Sequence, residues 1–177
     1  MARPGDHGLQ AWDCDPAIAQ GTFTPSAGVL YVKRIWVRDN QAVAPSNIWV
    51  IVSTAGSGAT SLANCFVGLY DSSGSFLANG GSADQASGWA STGAKSIALT
   101  AQQALTPGSS YFVALLVGTQ ATTNVVFRAT SSAATVNLNL SASTLRGGSI
   151  STGLSALPSS FAPGSLAGVG THWAGLS

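Results

Sequence analysis

The stretch Asn47-Ile48-Trp49-Val50-Ile51-Val52-Ser53 places five β-branched or aromatic residues in a row. On an extended chain Ile48, Val50 and Val52 fall on one face, and Trp49 and Ile51 on the other. Such side chains lose χ1 freedom in a helix and fit a pleated surface. A strand that is apolar on both faces reads as a covered strand.

The same reading extends along the chain in both directions. Val29–Arg38 is rich in β-branched and aromatic residues. Asn64–Tyr70 and Ser75–Ala78 flank Asp71-Ser72-Ser73-Gly74, a hairpin turn with Asp first and Gly last. Ser91–Thr100 alternates, Pro107-Gly108 marks a turn, and Ser110–Gly118 is the most apolar strand. Val125–Ala129 follows, then Thr135–Leu140, where Val136, Leu138 and Leu140 alternate with Asn137 and Asn139. From Ser141 the chain is rich in Ser, Gly and Pro, punctuated by Leu145, Ile150, Leu154, Leu157 and Phe161, and Thr171–Leu176 reads as a closing strand. The one helical candidate is a single turn at Ala101–Leu105. About eight to ten short strands with frequent turns predict an all-β fold, a jelly-roll-like antiparallel β-sandwich.

Residues 1–27 read differently. Pro4, Gly5, Gly8, Pro16, Gly21 and Pro25 break any periodic pattern, so this stretch is expected to be an extended N-terminal docking arm, with the sandwich over 28–177. Trp12 and Ile18 are its apolar anchors, with Asp13 and Asp15 beside Trp12. The sequence leaves open whether the arm crosses its own sandwich or a neighbouring subunit.

Composition narrows the function classes. Of 177 residues 45% are hydrophobic and 7% are charged, and there is no Glu. Roughly a quarter of residues are charged in an average soluble protein. The polar surface must therefore be Ser, Thr, Asn, Gln and Gly, a palette of strands and turns and of coat or extracellular proteins. Net charge is +1 with no basic run, so nucleic-acid binding lacks its electrostatic stripe. No apolar run is long enough to insert in a membrane. The start of the chain lacks the apolar core of a signal peptide, so cytoplasmic synthesis is expected. Cys14 and Cys65 are read as free thiols in preference to a bridge, and neither has metal-site spacing.

Candidate chemistry is sparse. Asp13 and Asp15 form a D-x-D that could offer oxygen ligands to a cation, but turn and cap chemistry explains Asp before Pro better. Asp71 and Asp84 sit in polar turns and do not make the paired carboxyls of a glycosidase. No strand–Gly-x-Ser-x-Gly–helix elbow accompanies His7 or His172, and both are read as ordinary surface histidines. No cofactor is expected, and the chain is read as a non-enzyme. Of the five tryptophans, Trp89 in Ala-Ser-Gly-Trp-Ala-Ser is the most loop-like. It is the best candidate for glycan contact, with the loops at Thr54–Thr60 and Asn79–Ala83, although packing is the commoner use of a tryptophan. Arg34 and Arg38 share a strand face with Trp36 between them, near Lys33, an arrangement suited to an interface.

The order of motifs carries a resemblance. Gly-Leu-Gln-Ala-Trp-Asp-Cys-Asp-Pro (8–16) precedes Ser-Ala-Gly-Val-Leu-Tyr-Val-Lys-Arg (26–34), and Trp-Val-Ile-Val-Ser-Thr-Ala-Gly-Ser-Gly (49–58) and Phe-Val-Gly-Leu-Tyr-Asp-Ser-Ser-Gly (66–74) come next. Trp-Ala-Ser-Thr-Gly-Ala-Lys (89–95), Leu-Thr-Pro-Gly (105–108) and Tyr-Phe-Val-Ala-Leu-Leu (111–116) follow, and Leu-Pro-Ser-Ser-Phe (157–161) and Trp-Ala-Gly-Leu-Ser (173–177) close the series. This series resembles β-sandwich domains in virion proteins of tailed phages that infect actinobacteria, of the minor tail type, from about Gly8 to Ser177. The resemblance implies a virion component with no enzymatic residues to carry over. The chain is expected to be free-standing, without the upstream attachment domain of larger tail proteins, which brings capsid decoration or a head fibre into view. The expected partners are other capsid or tail proteins and copies of itself, with a trimer favoured. A host cell-wall glycan is the alternative partner, with the chain as an adhesion module.

Overall fold

The computed structural model describes residues 3–38, 42–58, 60–80, 84–130, 137, 139–150 and 152–177. The strands are β1 (Ala11–Trp12), β2 (Gly21–Phe23), β3 (Leu30–Trp36), β4 (Asn47–Thr54), β5 (Ala63–Tyr70), β6 (Phe76–Gly80), β7 (Gly93–Ala98), β8 (Ser110–Thr119), β9 (Val126–Ala129), β10 (Gly147–Ile150) and β11 (Gly175–Leu176). They form two antiparallel sheets packed as a β-sandwich. One sheet runs β10-β3-β8-β5-β6. In the other, β4 is central. It pairs with β7 over 47–52, while its second edge is shared by β11, at Ile48 and Trp49, and by β9, at Val52 and Thr54.

Strand alternation explains why so many strands are apolar on both faces. Ile48, Val50 and Val52 of β4 meet Val67 and Leu69 of β5 and Val113, Leu115 and Val117 of β8 between the sheets. The outer face of the β10-β3-β8-β5-β6 sheet has its own core, where Leu30, Val32, Phe112 and Leu116 are covered by Leu145, Phe161 and Leu166 of the C-terminal excursion. The outer face of β4 is covered in turn, since Trp49 and Ile51 pack beside Leu9, Ala19 and Trp173. The covered strand inferred from 47–53 is therefore covered by the two ends of the chain.

The described part of the expected arm, residues 3–27, lies on the chain's own sandwich through two short strands. Strand β1 pairs with β11 and β2 with β9. The Gln10 N–H donates to the Leu176 carbonyl at 2.7 Å and the Trp173 Nε1–H to the Cys14 carbonyl at 2.9 Å. Of the two anchors, Trp12 is half-buried, whereas Ile18 remains 62% exposed.

The Asp71 turn forms as its sequence directs. The Asp71 Oδ1 accepts from the Ser73 and Ser75 N–H groups at 2.9 Å each. Gly74 closes the turn at φ 83°, where a Cβ would collide with the Phe161 carbonyl oxygen.

Two local expectations are corrected. Ala101–Leu105 is not helical. It runs alongside residues 43–45, with the Leu105 N–H donating to the Val43 carbonyl at 2.8 Å. The helical turn is instead α1 (Ala86–Trp89), started by Asp84, whose Oδ1 accepts from the Ala86 N–H at 2.9 Å. In the predicted strand Thr135–Leu140, Thr135, Val136 and Leu138 lie outside the described residues. Asn137 and Asn139 sit in a turn, closed by the Leu140 N–H on the Asn137 carbonyl at 3.0 Å.

Candidate functional site

The most concentrated chemistry lies between the sheets. On β3, residues 31, 33 and 35 point inward, so Lys33 shares a face with Ile35. Its Nζ stands 3.0 Å from Asp13 Oδ2, and the two side chains are 4% and 3% exposed. Asp13 follows β1 in the other sheet, so the pair spans the sandwich. Thr130 Oγ1 accepts from Lys33 Nζ at 2.9 Å and donates to Asp13 Oδ2 at 3.3 Å. The Ala174 N–H donates to Asp13 Oδ1 at 3.2 Å. Burial raises the Asp13 carboxyl above its usual range, against the opposing pull of Lys33.

His172 belongs to the same interior. It bridges to Ala129 and lies two residues before Ala174, on the same inward face. It is fully buried, which corrects the surface reading of this residue. Neither ring nitrogen has a hydrogen-bond partner among the described residues. Burial first, and the Lys33 charge second, push its pKa down to about 3, so the imidazole is neutral at ordinary pH.

The D-x-D pair is split because the chain leaves β1 at Trp12 and turns at Pro16–Ile18. Asp13 turns inward, and Asp15 caps the turn Pro16–Ile18 by accepting the Ala17 N–H at 2.8 Å. Among the described residues no group of three His, Cys, Asp or Glu side chains could hold a metal. Cys14 and Cys65 are free thiols, each pushed up to about 12, with burial the largest cause. Asp84 accepts from the Asn64 and Cys65 N–H groups as well as Ala86, so it fastens a loop.

Trp89 is not a glycan platform. It is fully buried, edge-on to Phe127 with ring centroids 5.0 Å apart. The small residues around it marked a loop, but α1 turns the indole into the core. Beside it opens a pocket of about 420 Å³, whose walls include Gly56, Ser57, Thr60, Ser61 and Ser87. The Thr54–Thr60 loop thus forms part of a pocket with mixed small apolar and hydroxyl walls and no aromatic floor. Of the second expected glycan loop, residues 81–83 lie outside the described residues.

The Arg34–Trp36–Arg38 group is also divided. Arg34 lies over the Phe112 ring, 4.4 Å from its centroid, and donates to the Leu145 and Ser143 carbonyls and to Ser110 Oγ. It fastens the C-terminal excursion to β3. Trp36 ends β3 and is 59% exposed, and Arg38 is exposed beyond the strand.

A second aromatic surface lies on the outer face of β4. A groove of about 170 Å³ is lined by His7, Leu9, Pro16, Trp49, Ile51 and Trp173, among others. His7 sits 5.4 Å from the Trp12 ring. The alternation of 47–53 pointed to Trp49 and Ile51 on this face. What it could not show was that the terminal segments cover the face incompletely.

No known protein-family model matches the chain, and no curated protein matches its sequence.

Proposed function

We propose that the chain is a non-catalytic virion component of a tailed phage: a capsid-decorating, head-fibre or minor tail subunit made in the host cytoplasm. It works by assembly and surface binding, as a homo-oligomer with a trimer favoured, alongside other capsid or tail proteins. The sequence resemblance supplies the virion context. The observation that carries the assembly role is the exposure of Trp36 at 59% and Ile18 at 62% on a chain with 7% charged residues. Large apolar side chains left at the surface become contact residues when a partner covers them. The test is mass spectrometry of purified virions from a host strain that makes this protein. Recovery of the chain at a copy number comparable to other virion proteins is expected, and its absence from particles would overturn the reading.

The second reading, a cell-wall glycan module, moves from Trp89 to the groove beside Trp49, because indole rings lining a groove can stack on sugar rings. Pull-down on isolated cell walls should retain the native chain and lose the Trp49→Ala variant. Equal retention of both would remove the groove from consideration.

A further inference from the structure

We propose that Lys33 and Asp13 join through a self-formed isopeptide bond that ties the N-terminal segment to β3 across the sandwich. The argument rests on geometry and burial. The Lys33 nitrogen touches the Asp13 carboxyl at 3.0 Å, both side chains are almost wholly shielded from water, and the pair links residues on opposite sheets. A charged pair held away from water is costly. Moving one proton along the contact already present gives the reactive form, a free amine beside a protonated carboxyl.

The step balances without any outside reagent. The Lys33 nitrogen attacks Asp13 Cγ once the carboxyl has turned about its Cβ–Cγ bond. A C–N bond forms, the bond from Cγ to one carboxyl oxygen breaks, and that oxygen leaves as water. The ammonium brings three protons. One stays on the amide nitrogen and two depart with the water, so the opposite charges of the ion pair vanish together. The surroundings supply what the step needs. The Ala174 N–H, 3.2 Å from Oδ1, is placed to stabilise the oxyanion of the tetrahedral intermediate. The Thr130 hydroxyl touches both reacting groups, at 2.9 and 3.3 Å, and gives the second proton a path from nitrogen to the leaving oxygen. Holding the groups in contact gives an effective concentration on the order of 10⁵ M or more for well-oriented partners, and exclusion of water favours the amide over its hydrolysis.

Intact-mass spectrometry of the folded, then denatured, chain is the test. The native chain should be lighter than its sequence by one water, and a protease digest should yield a branched peptide joining the segments around Asp13 and Lys33. Asp13→Ala and Lys33→Arg should each return to full sequence mass. Asp13→Asn should form the same link with loss of ammonia in place of water, and Thr130→Val should form it several-fold more slowly. A folded native chain that keeps its full sequence mass and yields no branched peptide would overturn the proposal, leaving an ion pair. That reading needs no variant to fold.

Discussion

Two regions of the same interior are built on opposite terms. Around Trp89, contacts are non-directional: the indole meets Phe127 edge-on, and Val52, Val67 and Leu115 belong to the same cluster. Around Lys33, each group depends on a named partner: Asp13, Thr130 and the Ala174 N–H. His172, buried beside them, has none among the described residues. An apolar cluster loses stability in proportion to the volume removed. A buried polar cluster fails by steps, because each deletion strands the partner left behind. The contrast places pH sensitivity and partner dependence in one region and tolerance in the other.

The largest expected effect breaks that contrast with acid. His172 has an ordinary pKa of 6.5 and a folded value of about 3. The unfolded chain therefore binds the proton first as pH falls, and between those values stability rises with pH. The contribution is fully present above pH 6.5 and is lost as pH falls to about 3. At 1.36 kcal/mol per unit its full size is about 5 kcal/mol. Burial is the leading cause, so the effect holds whichever bond joins Asp13 to Lys33. Urea midpoints at pH 7 and pH 4 should differ strongly for the native chain. For His172→Phe the difference should shrink by most of this amount, and an unchanged pH profile would place the titrating group elsewhere.

Next in size is removal of Lys33, the partner of Asp13 whether the two are joined as an ion pair or as an amide. Lys33→Met keeps the aliphatic stem and leaves the Asp13 carboxyl buried with the Thr130 hydroxyl and the Ala174 N–H alone. Stranding a buried charge costs about 4 kcal/mol. The carboxyl can respond by taking up a proton, so the cost measured at pH 7 should diminish toward pH 4. Chemical denaturation at the two pH values reads this directly. A loss that is independent of pH would mean that Asp13 is hydrated once Lys33 is gone.

The contrast also explains what was legible in the sequence. The apolar region writes itself as alternation, so β4, β5 and β8 were read within a residue or so of their ends, and Asp71 and Gly74 announced their turn by local chemistry. Ala101–Leu105 and Ala86–Trp89 were exchanged because one turn of helix has no periodicity to detect. Asp84 decided the second through a single cap, and pairing with residues 43–45 decided the first. The polar region brings together residues 13, 33, 130 and 172, which no local pattern relates. One trace of it was available. Lys33 falls on the inward stripe between Tyr31 and Ile35, and a lysine there requires a buried anion. The short supply of carboxylates then made Asp13, beside the anchor Trp12, a natural partner.

The smallest expected effect on stability falls at Trp36, which belongs to neither region. At 59% exposed on the last residue of β3, it contributes little to the fold, and Trp36→Ser should shift the unfolding free energy by no more than about 0.5 kcal/mol. Its indole is the wrong residue for a solvated strand end and the right one for a contact, since an aromatic anchor gains most when a partner covers it. Size-exclusion chromatography with light scattering should therefore find a trimer for the native chain and monomers for Trp36→Ser, with equal thermal midpoints at a concentration where the native chain dissociates. A variant that still forms trimers would move the contact to Ile18 and the arm, where Ile18→Ser makes the same separation between fold and assembly.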